Sequence, residues 1–489
     1  MRRKIFFALV YTALLLTCAF AAEDTQSPLA LNTRLSIIRN IEPIRSSDRI
    51  LILAPHPDDE AIGCAGIIQA AAAVGADTHV LYLTNGDNNE FAFIVYDKRI
   101  PVMPSELVRL GEVRRSEAIK AMKTFGVDEY NLIFLGYPDF GTFQIFKDFW
   151  EEGKPYKSML TRKRSVPYKN DPSFGAPYIG QSILMDLKNT LLRYKPNKVF
   201  VSHPADLNRD HKTLYLFLEI ALADLTAELP RPRVYHYLVH WRAWPMPRHY
   251  HPELPLLPPD QFRPTASDIR WLKYRLTQQQ VNNKYKAILV YKSQTQVSAF
   301  YLLAFGRKNE LFSIYPDINV DIAPQAAEKK KVSLKDRIGE KISAFFGLSG
   351  NFEQAGQKVA VVQRQCPVVY GSEDNCLLIR MYKRKDIGRT LKTVIYLFGY
   401  SSKTPFGQMP KILILTKHTR FKMLDGKKVI VPEGIDIQIS PEELTVKIPF
   451  SVLGDPDFIL ASVHGNGGVS CPDTVSFRKI NIRRKIDGI

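Results

Sequence analysis

After its first twenty residues this 489-residue sequence has no stretch long and apolar enough to span a bilayer, which excludes a protein of several transmembrane helices. It lacks the glycine excess of collagen and the low hydrophobic content of disordered chains. Its 27 Gly, 32 Pro, 45% hydrophobic and 24% charged residues lie near the globular average. Cysteine is sparse: five in all, of which Cys366, Cys376 and Cys471 fall in the C-terminal third. Acid is short of base, 49 Asp+Glu against 67 Lys+Arg, for a formal net charge of +18. That excess argues for an anionic neighbour such as nucleic acid, phospholipid or charged polysaccharide, and is silent on fold. At roughly 100–200 residues per domain the length suggests two or three domains.

Arg2, Arg3 and Lys4 precede an apolar stretch over residues 5–20, and Ala19-Phe20-Ala21 closes it. A basic start, an apolar middle and an A-x-A site predict a signal peptide over residues 1–22, with an uncleaved anchor as the alternative. Both put the rest of the chain outside the cytosol, because the positive flank stays inside. Lipidation of Cys18 is disfavoured by Thr17 before it. Cleavage after Ala21 lowers the charge by three, to +15. An oxidising compartment then permits a disulfide among Cys366, Cys376 and Cys471, while small buried thiols explain the same residues.

From residue 50 the text alternates strand and helix. Residues 50–54 (ILILA) are a continuous apolar run, as in a strand buried on both faces of a parallel sheet. Helical spacing over 61–73 stops at Gly75, and over 106–125 at Gly126, with another helix near 183–194. Strands read at 79–84, 131–135 and 198–202. This order predicts an α/β fold with a doubly wound, mostly parallel, Rossmann-like sheet over residues 33–320, whose ligands bind beyond the carboxyl ends of the strands. Residues 244–264, rich in Pro, His and aromatics, read as an irregular loop. Residues 325–355 form a basic linker, in which Lys329-Lys330-Lys331 precedes amphipathic spacing at Leu334, Ile338, Ile342 and Phe345. That helix either docks one domain on the other or lies on an anionic membrane surface. Short alternating strands at 411–415, 435–439 and 444–448, separated by turns, predict a C-terminal all-β sandwich over 356–489.

Two polar clusters carry the chemistry. In LILAPHPDDE (51–60), His56, Asp58, Asp59 and Glu60 fall just after a buried strand and at the start of a helix. HPADLNRDH (203–211) follows the strand at 198–202 in the same way. Imidazoles and carboxylates arriving from two strand ends can build a three-ligand site with an open position, the arrangement a catalytic zinc needs. Alone, the first cluster reads equally as a helix cap complementing the dipole, and the second as surface decoration. Together and in order, they point to a metal site.

The pair HPDDE and HPADLNRDH resembles the PIG-L or LmbE-like zinc N-deacetylases, a family that includes the N-acetylglucosaminyl-phosphatidylinositol and mycothiol-pathway deacetylases. The resemblance covers roughly residues 45–310. It implies one Zn2+ held by His56, Asp59 and His211, Asp58 as the general base toward the attacking water, and Asp210 beside His211, orienting it. Asn208 departs from the pattern, since many relatives carry His there. An Asn donates a hydrogen bond to an oxyanion but supplies no proton, so protonation of the leaving amine falls to Asp58 or to another histidine, His203 or His240. Arg114 and Asp139 align with family residues near the sugar site, with a structural ion pair as the alternative for Arg114. Residues 84–87 either line the pocket or form a plain turn. Trp241, Trp244 and Tyr250 either stack on a sugar face or pack against the sheet.

The resemblance implies hydrolysis of an acetamido group on an N-acetylglucosamine-type sugar or glycoconjugate, and the N-terminal segment predicts an exported enzyme that is periplasmic, extracellular or anchored facing outside. Residues 448–462 resemble the closing strands of carbohydrate-binding-module or DOMON-like sandwiches, which implies glycan binding or a structural lid. The alternative is a non-catalytic envelope protein that keeps the scaffold and binds a glycan or lipid by charge. No nucleic-acid reading motif is present. On an exported chain the +15 reads as attraction to an anionic envelope lipid or glycan surface.

Overall fold

The structure, a computed structural model, describes residues 27–88, 103–262, 269–322, 368–382, 392–417, 420–431, 433–440, 443–465 and 475–484. The N-terminal apolar segment, the basic linker and Cys18, Cys366 and Cys471 lie outside these residues. Cys64 and Cys376 are buried free thiols. Among the described residues no helix is long and apolar enough to cross a membrane.

An eight-stranded sheet contains β1 (Arg39–Asn40), β2 (Arg49–Ala54), β3 (Asp77–Thr84), β4 (Leu132–Tyr137), β5 (Lys198–Ser202), β6 (Arg233–Tyr237), β7 (Arg270–Arg275) and β8 (Asn309–Ile314). The spatial order is β1-β7-β8-β6-β5-β2-β3-β4. Five neighbours, β4-β3-β2-β5-β6, run parallel, and β8 runs antiparallel to both β6 and β7. The order reverses between β2 and β5. At such a reversal the connections leave to opposite sides and open a crevice at the strand ends.

The helices are α1 (Pro28–Ser36), α2 (Asp59–Val74), α3 (Pro104–Lys123), α4 (Thr142–Asp148), α5 (Gly180–Tyr194), α6 (Arg209–Asp224), α7 (Gln278–Val290) and α8 (Lys292–Leu302). They cover both faces of the sheet, so β2 is buried everywhere but its first residue. Its side chains alternate: Ile50, Ile52 and Ala54 enter one apolar cluster with α2, and Leu51 and Leu53 enter another with α5 and α6. The helix α2 stops where Gly75 adopts φ 70, a left-handed conformation that glycine takes without penalty.

Past β8 the chain turns β-rich. Strands Val368–Glu373, Cys376–Tyr382, Glu443–Pro449 and Asp436–Ile439 make a four-stranded sheet. A seven-stranded sheet is built on Lys392–Tyr400, Lys411–Lys417 and Phe458–Gly465, and ends with Arg478–Arg484 paired parallel to β9 (Ile318–Ile322). Leu377, Ile379, Val446 and Ile448 of the smaller sheet share one apolar cluster with Ile395, Leu397, Ile412 and Ile459 of the larger. Strand Lys392–Tyr400 is buried on both faces. Ile395 and Leu397 point into that cluster, while Phe398 and Tyr400 join the α/β core beside Phe146 and Phe217. The β-rich region is thus packed on α4 and α6, with each buried Phe contributing about 1.5–3 kcal/mol.

Candidate active site

The first cluster sits where β2 meets α2, at the reversal of strand order. Asp58 precedes α2 with φ 124, and its side chain makes no cap hydrogen bond. A non-glycine residue there carries about 1–3 kcal/mol of strain. Several contacts hold it. The Asp58 amide donates to Glu60 Oε2 at 3.1 Å, and the Tyr291 hydroxyl donates to the same carboxyl group. Arg114 donates to Pro57 O at 2.7 Å and to Gly86 O at 3.1 Å, and its Nη2 lies 3.4 Å from Asp58 Oδ2. The twist turns the Asp58 carboxyl away from capping. Burial pushes that carboxyl up to about 7, against the pull of Arg114. It titrates near neutrality, where proton transfer in either direction is effective.

The ligand-type side chains converge beside it. Asp59 Oδ2 lies 3.2 Å from His56 Nδ1 and 3.1 Å from His211 Nε2. All three residues are buried, with ligand atoms within 4.8 Å of one another. Burial opposes a charge on Asp59, but the two imidazoles, His211 first, outweigh it and hold the carboxyl well below its usual range. Neither ring nitrogen of His211 makes an aligned hydrogen bond among the described residues, although Nε2 faces Asp59 Oδ2 and Nδ1 faces Asp206 Oδ2. A buried nitrogen without an aligned hydrogen bond, facing a carboxylate shared by a second imidazole, fits a divalent metal with nitrogen and oxygen preference such as zinc.

The outer partners differ in part from the expectation. Asp210 does not face His211. Its carboxylate accepts from Phe140 N at 2.6 Å, from Thr142 N at 3.3 Å and from the Thr142 hydroxyl, and it lies 3.4 Å from His56 Nε2. Consecutive helical residues do not share a face, so the two side chains diverge. The carboxylate beside His211 belongs to Asp206, whose Oδ2 is 3.4 Å from His211 Nδ1. Asp206 also accepts from the amides of Asn208, Val239 and His240 at 2.9–3.0 Å. Nothing in the sequence marked Asp206 beyond its place in the loop after β5. Asp139 touches His56 Nε2 at 3.1 Å, so it orients that ring whatever else it does.

The remaining residues sort by burial. His240, part exposed, stands 4.5 Å ring to ring from His211 and 3.2 Å from Asp206 Oδ1. His203 lies apart. Its Nδ1 accepts from Ala205 N at 3.0 Å, its ring stacks on Trp271, and burial keeps it neutral with a pKa well below the ordinary value. Asn208 caps α6, its Oδ1 accepting from Asp210 N at 2.8 Å. Trp244 is buried against Phe305 and donates to Leu257 O, and Trp241 is buried against Phe262. Both indoles therefore pack in the core, where no sugar face can reach them. Tyr250 lies against Tyr285. Asn85 and Asp87 are buried and bonded to Asp171 and Tyr168, while Gly86, at φ 68, leaves room for Arg114.

Residues 51–222 match the family model described as PIG-L, GlcNAc-PI de-N-acetylase. The match to the PIG-L family is confined to this part of the chain. A 1D-myo-inositol 2-acetamido-2-deoxy-alpha-D-glucopyranoside deacetylase of Rhodococcus opacus is 35% identical over 81 residues, which is 17% of this chain and 27% of the relative. The protein of the same description from Kineococcus radiotolerans is 28% identical over 193 residues, 38% of this chain and 49% of the relative. The chain spans about half the length, or less, of these curated relatives. Among solved structures, N,N'-diacetylchitobiose deacetylase from Pyrococcus horikoshii is 18% identical with a TM-score of 0.33, over 60% of this chain and 94% of the other. The PIG-L match contains His56, Asp58, Asp59, Arg114, Asp139, Asp206 and His211, and it ends before the β-rich region.

Proposed function

We propose that the protein is a zinc-dependent N-deacetylase that hydrolyses the acetamido group of an N-acetylglucosamine-type sugar or glycoconjugate to acetate and a free amine. The observation that carries this reading is the convergence of His56, Asp59 and His211 around one carboxylate oxygen, with the Asp58 carboxyl beside them. His56, Asp59 and His211 would hold the ion. Zinc, when bound, supplies Lewis acidity that brings a water within reach of deprotonation near neutral pH and polarises a carbonyl.

The chain's own residues do the rest. Asp58, strained at φ 124 and held by Arg114 and Glu60, takes the proton of the attacking water. The same carboxyl, once it holds that proton, can return it to the departing nitrogen. His240, 4.5 Å ring to ring from His211, would serve as a hydrogen-bond donor to the substrate. Asn208 is engaged through its Oδ1 in capping α6. The named relatives are deacetylases of 2-acetamido sugars, which supports a substrate of that class.

By the same reading residues 1–22 export the chain, residues 33–320 form the catalytic domain, and residues 356–489 form a β-sandwich beyond the basic linker. The charge excess then favours an anionic envelope glycan or lipid surface near the substrate. The test is acetate release by the zinc-loaded full chain across N-acetylglucosaminyl lipids, peptidoglycan fragments and small N-acetyl amino sugars. Release from at least one, with equal free amine, supports the proposal. One equivalent of tightly held zinc with no release from any of them overturns the assigned activity.

A further inference from the structure

The loop that carries the second half of the site is gripped from outside the matched part of the chain. Residues 475–479 lead into the last described strand of the β-rich region and meet α6 at Lys212 and Glu219. The Phe477 amide donates to Pro204 O at 3.2 Å. Val475 O accepts from Lys212 Nζ at 2.6 Å. Pro204 lies two residues before Asp206, and Lys212 directly follows His211, so the two contacts bracket the segment that holds both. Lys212 is buried, and Val475 O is the acceptor within hydrogen-bond distance of its ammonium among the described residues. Ser476 Oγ pairs with the Tyr315 hydroxyl at 2.6 Å, and Lys479 donates to buried Glu219 of α6 at 2.8 Å. The Phe477 ring, 1% exposed, packs 6.1 Å from that of Phe143, next to the Thr142 that holds Asp210.

We propose that residues 475–479 are a positioning strap for the active site, fixing Asp206 and His211 through Pro204 and Lys212. The loop from Ser202 to α6 is bonded on its inner side to Tyr237 O, to His240 O and through the Asp206 carboxylate, and residues 475–479 supply its outer contacts, which a ligand set also needs to hold its geometry. Without the strap, Pro204 O and the Lys212 ammonium lose their buried partners on either side of His211, and each unmet group favours rearrangement of the loop. The β-rich region is therefore part of the catalytic apparatus and not a detachable appendage. The kinetic side of this inference rests on the deacetylase reading, and the metal side on its zinc site alone.

The test compares three full-length variants: Phe477→Ala, Lys212→Met, and Ile448→Ala, the last removing a buried side chain in the four-stranded sheet away from α6. Each is followed by thermal melting, by zinc retention against a chelator well below the melting temperature, and by kcat and KM for acetate release. The strap predicts that Phe477→Ala and Lys212→Met hold zinc about ten- to a hundredfold more weakly and lose kcat to a similar degree, with KM little changed. Ile448→Ala melts earlier but keeps zinc and kcat. Zinc retention and kcat at wild-type levels in the first two variants would overturn the strap. Should Phe477→Ala fail to fold, Lys212→Met decides, because its loss is confined to one hydrogen bond. If the wild type releases no acetate, the activity reading fails and zinc retention alone judges the strap.

Discussion

Asp206 Oδ2 lies 3.4 Å from His211 Nδ1, and the same carboxylate accepts three backbone amides and faces His240. Burial opposes its charge, but His211 and His240 outweigh it and keep the group ionised far below the usual carboxylate range. A fixed anion behind an imidazole draws that side of the ring toward it, with Nε2 turned to Asp59.

Replacing that carboxylate tests the arrangement. Asp206→Asn weakens zinc binding by about 10–100-fold, measured by competition with a chelator. Asp210→Asn, which acts on His56 and the Phe140–Thr142 turn, leaves the His211 side intact, so its zinc loss is the smaller of the two.

Tyr291 reaches the site from 231 residues away by donating to Glu60, which in turn accepts from the strained Asp58 amide. Tyr291→Phe removes one hydroxyl from this chain of contacts, worth about 0.5–1.5 kcal/mol for a single hydrogen bond. The expected result is a fall in kcat of up to about tenfold with zinc content unchanged, read by steady-state kinetics beside metal analysis.

The two motifs were legible because each follows a strand at the sheet's reversal, so contiguous residues land together. The partners were not. Asp139, 83 residues from His56, and Glu60 with Tyr291 meet only through the tertiary fold. Asp210 was misdirected for a local reason, since a helix turns about 100° per residue and parts it from His211. The buried indoles of Trp241 and Trp244 look the same in sequence as sugar-stacking ones. Residues 458–462 read as a closing strand, whereas the strand at 392–400 carries no reading from the sequence; the second apolar face of both docks the region on the α/β core, and apolar alternation alone does not name the surface it meets.

Trp244 offers a check on that last distinction. Trp244→Phe, which loses the hydrogen bond to Leu257 O, lowers stability by about 1 kcal/mol or more in chemical denaturation and leaves KM within about twofold. A selective rise in KM at unchanged stability contradicts the placement of this indole in the core.

The joint between the regions has its own pH signature. Burial raises the Glu219 carboxyl, but Lys479 and Arg231 outweigh it and bring the pKa to about 2, below the ordinary 4.5. A depressed acid pKa stabilises the fold fully above about 4.5, and that contribution is lost as pH falls toward 2. The stability of the wild type relative to Glu219→Gln therefore shrinks across that window and is constant above it, as followed by denaturation at stepped pH.

The most direct measurement is the rate of acetate release by zinc-loaded wild type beside Asp58→Asn, with zinc content determined in both. The account predicts that Asp58→Asn keeps its zinc and its fold and loses about a hundredfold or more in rate, the usual weight of a general acid–base group. An Asp58→Asn protein that holds zinc and releases acetate at the wild-type rate contradicts it.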